Sequence, residues 1–138
     1  MISESTAVAT FSTDSIDDAI AFYGTTLGLQ VLGPDTVGVE DAMVVRAAGG
    51  TAAFIYLKDD HVPATHTVLT LLVDDLDAVV AELGRAGVKP ELLEWTDEQG
   101  IARGVEGMPP SAWVKDPAGN WVCFTEADMA LAGGAAAA

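Results

Sequence analysis

Residues 15–28 read SIDDAIAFYGTTLG, and residues 75–87 read DLDAVVAELGRAG. In the first stretch Ile16, Ala19, Ile20, Tyr23 and Leu27 fall at the spacing of one helix face, which predicts an amphipathic helix. Asp14 or Ser15 offers an oxygen to cap its start, and Gly28 suits its end. In the second stretch Leu76, Val79, Val80 and Leu83 hold the same offsets, with Asp74 or Asp75 as cap and Gly87 as stop. Positions 16, 19, 20 and 23 each match a residue sixty further on, which points to an internal duplication.

A strand precedes each helix. In HTVLTLLV, residues 66–73, Thr67, Leu69, Leu71 and Val73 alternate with His66, Val68, Thr70 and Leu72, and the first set is read as the layer beneath the helix. Sixty residues earlier, Ala7, Ala9, Phe11 and Thr13 take that role, leaving Val8, Thr10 and Ser12 on the opposite face. Apolar runs follow each helix: LQVL, DAMVVRAA and TAAFIYLK in the first half, VKPELLEW, SAWVK and NWVCFTE in the second. Gly-Pro, Gly-Gly and the turn Asp116-Pro117-Ala118-Gly119-Asn120 separate them. The plan is βαβββ twice, over about residues 5–59 and 64–127, within one α+β domain of residues 1–131; residues 132–138 are a low-complexity tail. Each sheet is covered by a helix on one face only, and the two together are expected to form a curved, eight-stranded mixed sheet around a central cup.

With 138 residues the chain is long enough to bury a core without disulfides. Six basic residues against 21 acidic ones give a net charge of −15, which disfavours nucleic acid and anionic membranes as partners and otherwise makes a well-solvated surface. No apolar run reaches the length of a membrane span, and the first residues lack basic side chains ahead of an apolar run. A single cysteine fits a reducing compartment, so a cytoplasmic protein is expected.

The segments AIAFYGTTLGL, VDDLDAVVAELGRAGV and VKDPAGNWVCFTE, in this order across residues 7–126, resemble the vicinal oxygen chelate superfamily, which holds glyoxalase I, extradiol dioxygenases and bleomycin-resistance proteins. The resemblance implies the paired βαβββ fold and a twofold homodimer. In the metal enzymes of that superfamily a His or Gln on the first strand, a Glu on the fourth, a His on the fifth and a Glu on the eighth hold the ion. Counted from the motifs, these places fall on Val8, Phe54 (within one residue), Val68 and Cys123. Two valines, a phenylalanine and one thiol do not make a site for a divalent ion, so no metal and no other cofactor is expected. A displaced site would have to draw on His66, two residues before Val68, or on His61 beside Asp59 and Asp60.

Cys123 has only Trp121, Val122, Phe124 and Thr125 as sequence neighbours, none of which would activate a thiol, and it reads as a packing residue. The remaining cup-facing positions are apolar, aromatic or hydroxylated: Val8, Thr10, Phe54, Tyr56, His66, Val68, Thr70, Trp121 and Cys123, with Trp95 and Trp113 at the border. Arg103, in the glycine-rich connection TDEQGIARGVEGMPPS, is a candidate partner for a ligand carboxylate or phenolate. Such a lining suits a flat hydrophobic or aromatic molecule, and a metal-free protein that sequesters or carries a metabolite or antibiotic is the expected function. The alternative is an enzyme of the same superfamily, working through a displaced metal at His66 or through acid and base chemistry at Arg103, Tyr56 or Thr70.

Overall fold

The computed structural model describes residues 1–126; the tail expected at 132–138 lies outside them. The described residues form two compact units, one of residues 1–64 with 116–120, the other of residues 65–115 with 121–126.

In the first unit β1 (Ala9–Thr13) leads to α1 (Ile16–Ile20), which continues as a π-helical segment over Ala21–Thr26. Then come β2 (Gln30–Leu32), the single turn α2 (Pro34–Val37), β3 (Ala42–Ala47) and β4 (Gly50–Leu57). In the second unit β5 (Thr67–Val73) and α3 (Leu76–Arg85) precede β6 (Ile101–Ala102), β7 (Ser111–Lys115) and β8 (Trp121–Glu126). The sheet orders, β1-β4-β3-β2 and β5-β8-β7-β6, are the same. Each has one parallel pair, β1 with β4 and β5 with β8, and antiparallel neighbours otherwise. The eight strands make two four-stranded mixed sheets, one in each βαβββ unit, as the duplicated plan predicts.

The helix caps follow the sequence. Ser15 accepts from the Asp18 amide and Asp75 from the Ala78 amide, so α1 and α3 each begin with a side-chain oxygen on an otherwise unpaired N–H. The apolar faces are buried as the spacing requires, with Ala19 and Tyr23 in the first unit and Leu76 and Leu83 in the second. The π-helical segment adds Phe22, 8% exposed, beside Tyr23, 0% exposed. A widened turn lets two consecutive residues face the core, which a period of 3.6 does not foresee.

Two strand expectations are corrected. Residues 88–95, VKPELLEW, are not a strand: Glu91 donates one backbone hydrogen bond to Trp113 O, and Pro90 has no N–H to give. The strand at that edge is Ile101–Ala102, inside the segment read as a loop, reached through a turn in which Asp97 Oδ1 accepts from the Gln99 and Ile101 amides. The second correction is at Thr67. The β5–β8 register shifts between Thr67 and Leu69, and this irregularity turns Thr67 away from the helix-covered layer.

The turn between β7 and β8 packs within the first unit around a buried carboxylate. Asp116, 4% exposed, accepts from the Ala118 and Asn120 amides (both 2.9 Å), from Asn120 Nδ2 (3.0 Å) and from the Tyr23 hydroxyl (2.7 Å). Asn120 Nδ2 donates its other proton to Ser12 O at 2.8 Å. A carboxylate with four donors meets the condition for burying charge, so two of the motif segments, FYGTTLG and DPAGN, hold each other in place.

Candidate functional site

Each sheet has a face turned away from its helix. On the first, Thr10, Phe54 and Val44 share one row, and Ser12, Tyr56 and Ala42 the next. Alternation separates this face from Phe11 and Thr13, which are buried. Thr10 is exposed, Phe54 half-buried and Tyr56 36% exposed, while Val8, just ahead of β1, is 39% exposed. The loop after β4 brings His61 onto Ser12: Nδ1 lies 2.7 Å from Ser12 Oγ and Nε2 lies 3.0 Å from Ala118 O.

The second sheet's open face is an aromatic plate. Thr70, Cys123 and Trp113 lie in one row; Trp121 and Lys115 pair in the row containing Thr67. Trp113 reaches across β8 and donates from Nε1 to Thr67 Oγ1 at 3.2 Å. Trp95, 53% exposed, meets Trp113 edge-on, with ring centroids 6.3 Å apart and planes at 87°. Lys115 Nζ sits 4.7 Å from the Trp121 ring centroid, a cation–π contact. Thr67 and Lys115 were not among the sequence candidates. The alternation of SAWVK offered a signal for Lys115, whereas the irregularity that turns Thr67 has no sequence signature.

Cys123, 5% exposed, lies in a directional chain of hydrogen bonds. Ser111 Oγ donates to Pro109 O (3.0 Å), so it accepts from Thr125 Oγ1 (3.1 Å), and Thr125 in turn accepts from the Cys123 thiol (3.3 Å). Burial pushes the thiol above its ordinary pKa, with Thr125 and Ser111 opposing in part. This is the setting of a packed thiol rather than of a nucleophile.

The donor set does not fit a resident metal of the superfamily's usual kind. Val8 precedes β1, Phe54 stands opposite Thr10, Val68 is at the β5 irregularity, and Cys123 stands opposite Thr70. Among the described residues no three His, Cys, Asp or Glu side chains converge. His61 has both ring nitrogens engaged, His66 is exposed ahead of β5, and Asp60 pairs with Lys58.

Arg103 is paired within the chain: Asp77 on α3 and Asp97 (3.3 Å) take its guanidinium. Both carboxylates raise the Arg103 pKa further. A groove of about 500 Å³ runs along the flank of α3, lined by Asp77, Val80, Ala81, Gly84, Pro90 and Leu92 among others, and no sequence signal marked it.

The fold recurs in solved structures. A glyoxalase family protein from Bacillus anthracis is 18% identical with a TM-score of 0.67, covering 90% of this chain and 97% of its own. A lactoylglutathione lyase from Agrobacterium tumefaciens is 18% identical with a TM-score of 0.64, covering 89% of this chain and 93% of its own. A bleomycin resistance determinant encoded on transposon Tn5 is 17% identical with a TM-score of 0.61, covering 90% of this chain and 98% of its own. At these identities the likeness is one of fold. No curated protein sequence matches. The sequence profile of one family matches residues 6–124, nearly all of the described chain, and the chain belongs to the Glyoxalase/Bleomycin resistance protein/Dioxygenase superfamily.

Proposed function

We propose that this protein binds a flat hydrophobic or aromatic small molecule, a metabolite or an antibiotic, on its open sheet faces, and does so without a resident metal. The observation that carries the reading is the plate of Trp95, Trp113 and Trp121, with Thr67, Thr70 and Lys115 as its polar points. Stacking and desolvation supply affinity there, and a few hydroxyls with one cation orient the ligand. Lys115 Nζ also lies 3.7 Å from Glu91 Oε1, so an anionic or phenolic substituent would share or displace that pairing. The absence of oxygen or nitrogen donors at Val8, Phe54 and Val68 supports binding over metal-assisted catalysis.

Titration with planar aromatic compounds, followed by tryptophan fluorescence, tests the reading. Saturable quenching is expected, and Trp113→Ala should weaken it by about tenfold or more, as removal of a stacking side chain does. An unresponsive spectrum across a broad aromatic set would sink the proposal. Stoichiometric zinc, nickel, manganese or iron in protein purified without chelators would favour the enzyme reading instead.

A further inference from the structure

We propose that Ser12 selects ligands on the first sheet by hydrogen-bond polarity, taking a molecule that offers an O–H or N–H and disfavouring one that offers only acceptors. The inference rests on the binding reading above and names the ligand chemistry for that face.

The polarity follows from a chain of three groups. The Ala118 carbonyl can only accept, so His61 Nε2, 3.0 Å away, carries the imidazole proton. A neutral imidazole has one N–H, which leaves a lone pair on Nδ1. Ser12 Oγ is 2.7 Å from Nδ1 and gives it the hydroxyl's single proton. What remains on Oγ is lone pairs. A serine hydroxyl normally rotates to suit its partner. Here the imidazole holds it as an acceptor.

The hydroxyl is placed where a ligand can meet it. Ser12 is half-buried in the row of Tyr56, next to the row of Thr10 and Phe54, so two aromatic rings flank it on the open face. Its backbone is fixed independently, since Ser12 O accepts from Asn120 Nδ2 at 2.8 Å. Phenols, anilines and amide N–H groups match this site; ethers and ketones of the same shape leave the Oγ lone pairs desolvated and unpaired.

The test uses the full chain in mildly alkaline buffer with two probes, naphthol and its methyl ether. Nitrogen-correlated NMR of the histidine ring is expected to show the Nε2–H tautomer for His61. Naphthol is expected to bind roughly five- to tenfold more tightly than the ether, with amide shifts centred on β1 and β4, the range one hydrogen bond supplies. Ser12→Ala should bring the ratio to about one. His61→Ala, which keeps the serine but frees its proton, should do the same. An Nδ1–H tautomer, equal binding of the two probes, or discrimination that survives Ser12→Ala would overturn the inference alone. If neither probe shifts the first sheet and none of a broad aromatic set quenches the tryptophans, the binding reading falls, and this inference with it.

Discussion

Cys123 and Tyr23 show how burial decides what a reactive-looking side chain does. The thiol donates along Thr125 and Ser111 to a carbonyl, is 5% exposed, and has its pKa raised by desolvation. Ellman's reagent should therefore react with Cys123 at neutral pH only as fast as the protein unfolds, and rapid reaction of the native state would contradict this setting. The Tyr23 hydroxyl is likewise pushed far above its ordinary pKa, first by burial and then by the Asp116 charge and hydrogen bond. Both groups ionise more readily in the unfolded chain. Their shared contribution to stability is complete below roughly pH 9 and is lost as pH rises from there toward the folded values. Denaturant midpoints measured from neutral to alkaline pH should fall over that range. Tyr23→Phe should flatten part of the fall while costing about 1.5–3 kcal/mol at neutral pH, the worth of a hydrogen bond to a charged group.

Among the elements, β6 depends on one glycine. Gly100 has φ of +84°, and a Cβ there would lie 2.6 Å from Pro90 Cβ, with the Glu91 carbonyl at 3.3 Å. Pro90 is rigid, so a side chain meets both backbone strain and a clash. Gly100→Ala should lower stability by roughly 1–3 kcal/mol, and amide exchange should speed up at Ile101 and Ala102 before the rest of the second sheet. A substitution with wild-type stability and exchange would refute this account. In α3 the helix face itself supplies the core, and Leu83, 4% exposed, should cost about 2–5 kcal/mol when replaced by Ala, read from urea unfolding. The irregularity at Val68 delivers Thr67 Oγ1 to the indole of Trp113.

For the molecule as a whole, the net charge of −15 opposes phosphate backbones and favours solubility, and Lys115 is itself balanced by Glu91 at 3.7 Å. No described helix is long and apolar enough to cross a membrane. The family resemblance leads us to expect a twofold homodimer, which size exclusion with light scattering would reveal as twice the chain mass, and a monomer at all concentrations would refute. Association of the proposed ligands should speed up at low salt for cationic aromatics and slow for anionic ones, since the long-range field follows net charge.

The sequence by itself determined the duplicated βαβββ order, apart from the place of β6, both helix faces, each cap to within two neighbouring residues and the turn at Asp116–Asn120, because these depend on side chains within a few residues of one another. It also put Thr10 and Phe54, and Thr70 and Cys123, on like faces by alternation, but the residues set opposite Phe54 and Cys123 are Thr10 and Thr70, not the Val8 and Val68 counted from the motifs, and that register came only with the fold. Tertiary structure alone decided the rest. The Tyr23–Asp116 contact joins residues 93 apart, and the Ser12–His61 contact joins residues 49 apart. Arg103 reads as free for a ligand until Asp77, 26 positions away, is folded against it. Local patterns set which way a side chain points, but the partner it finds depends on where distant backbone arrives.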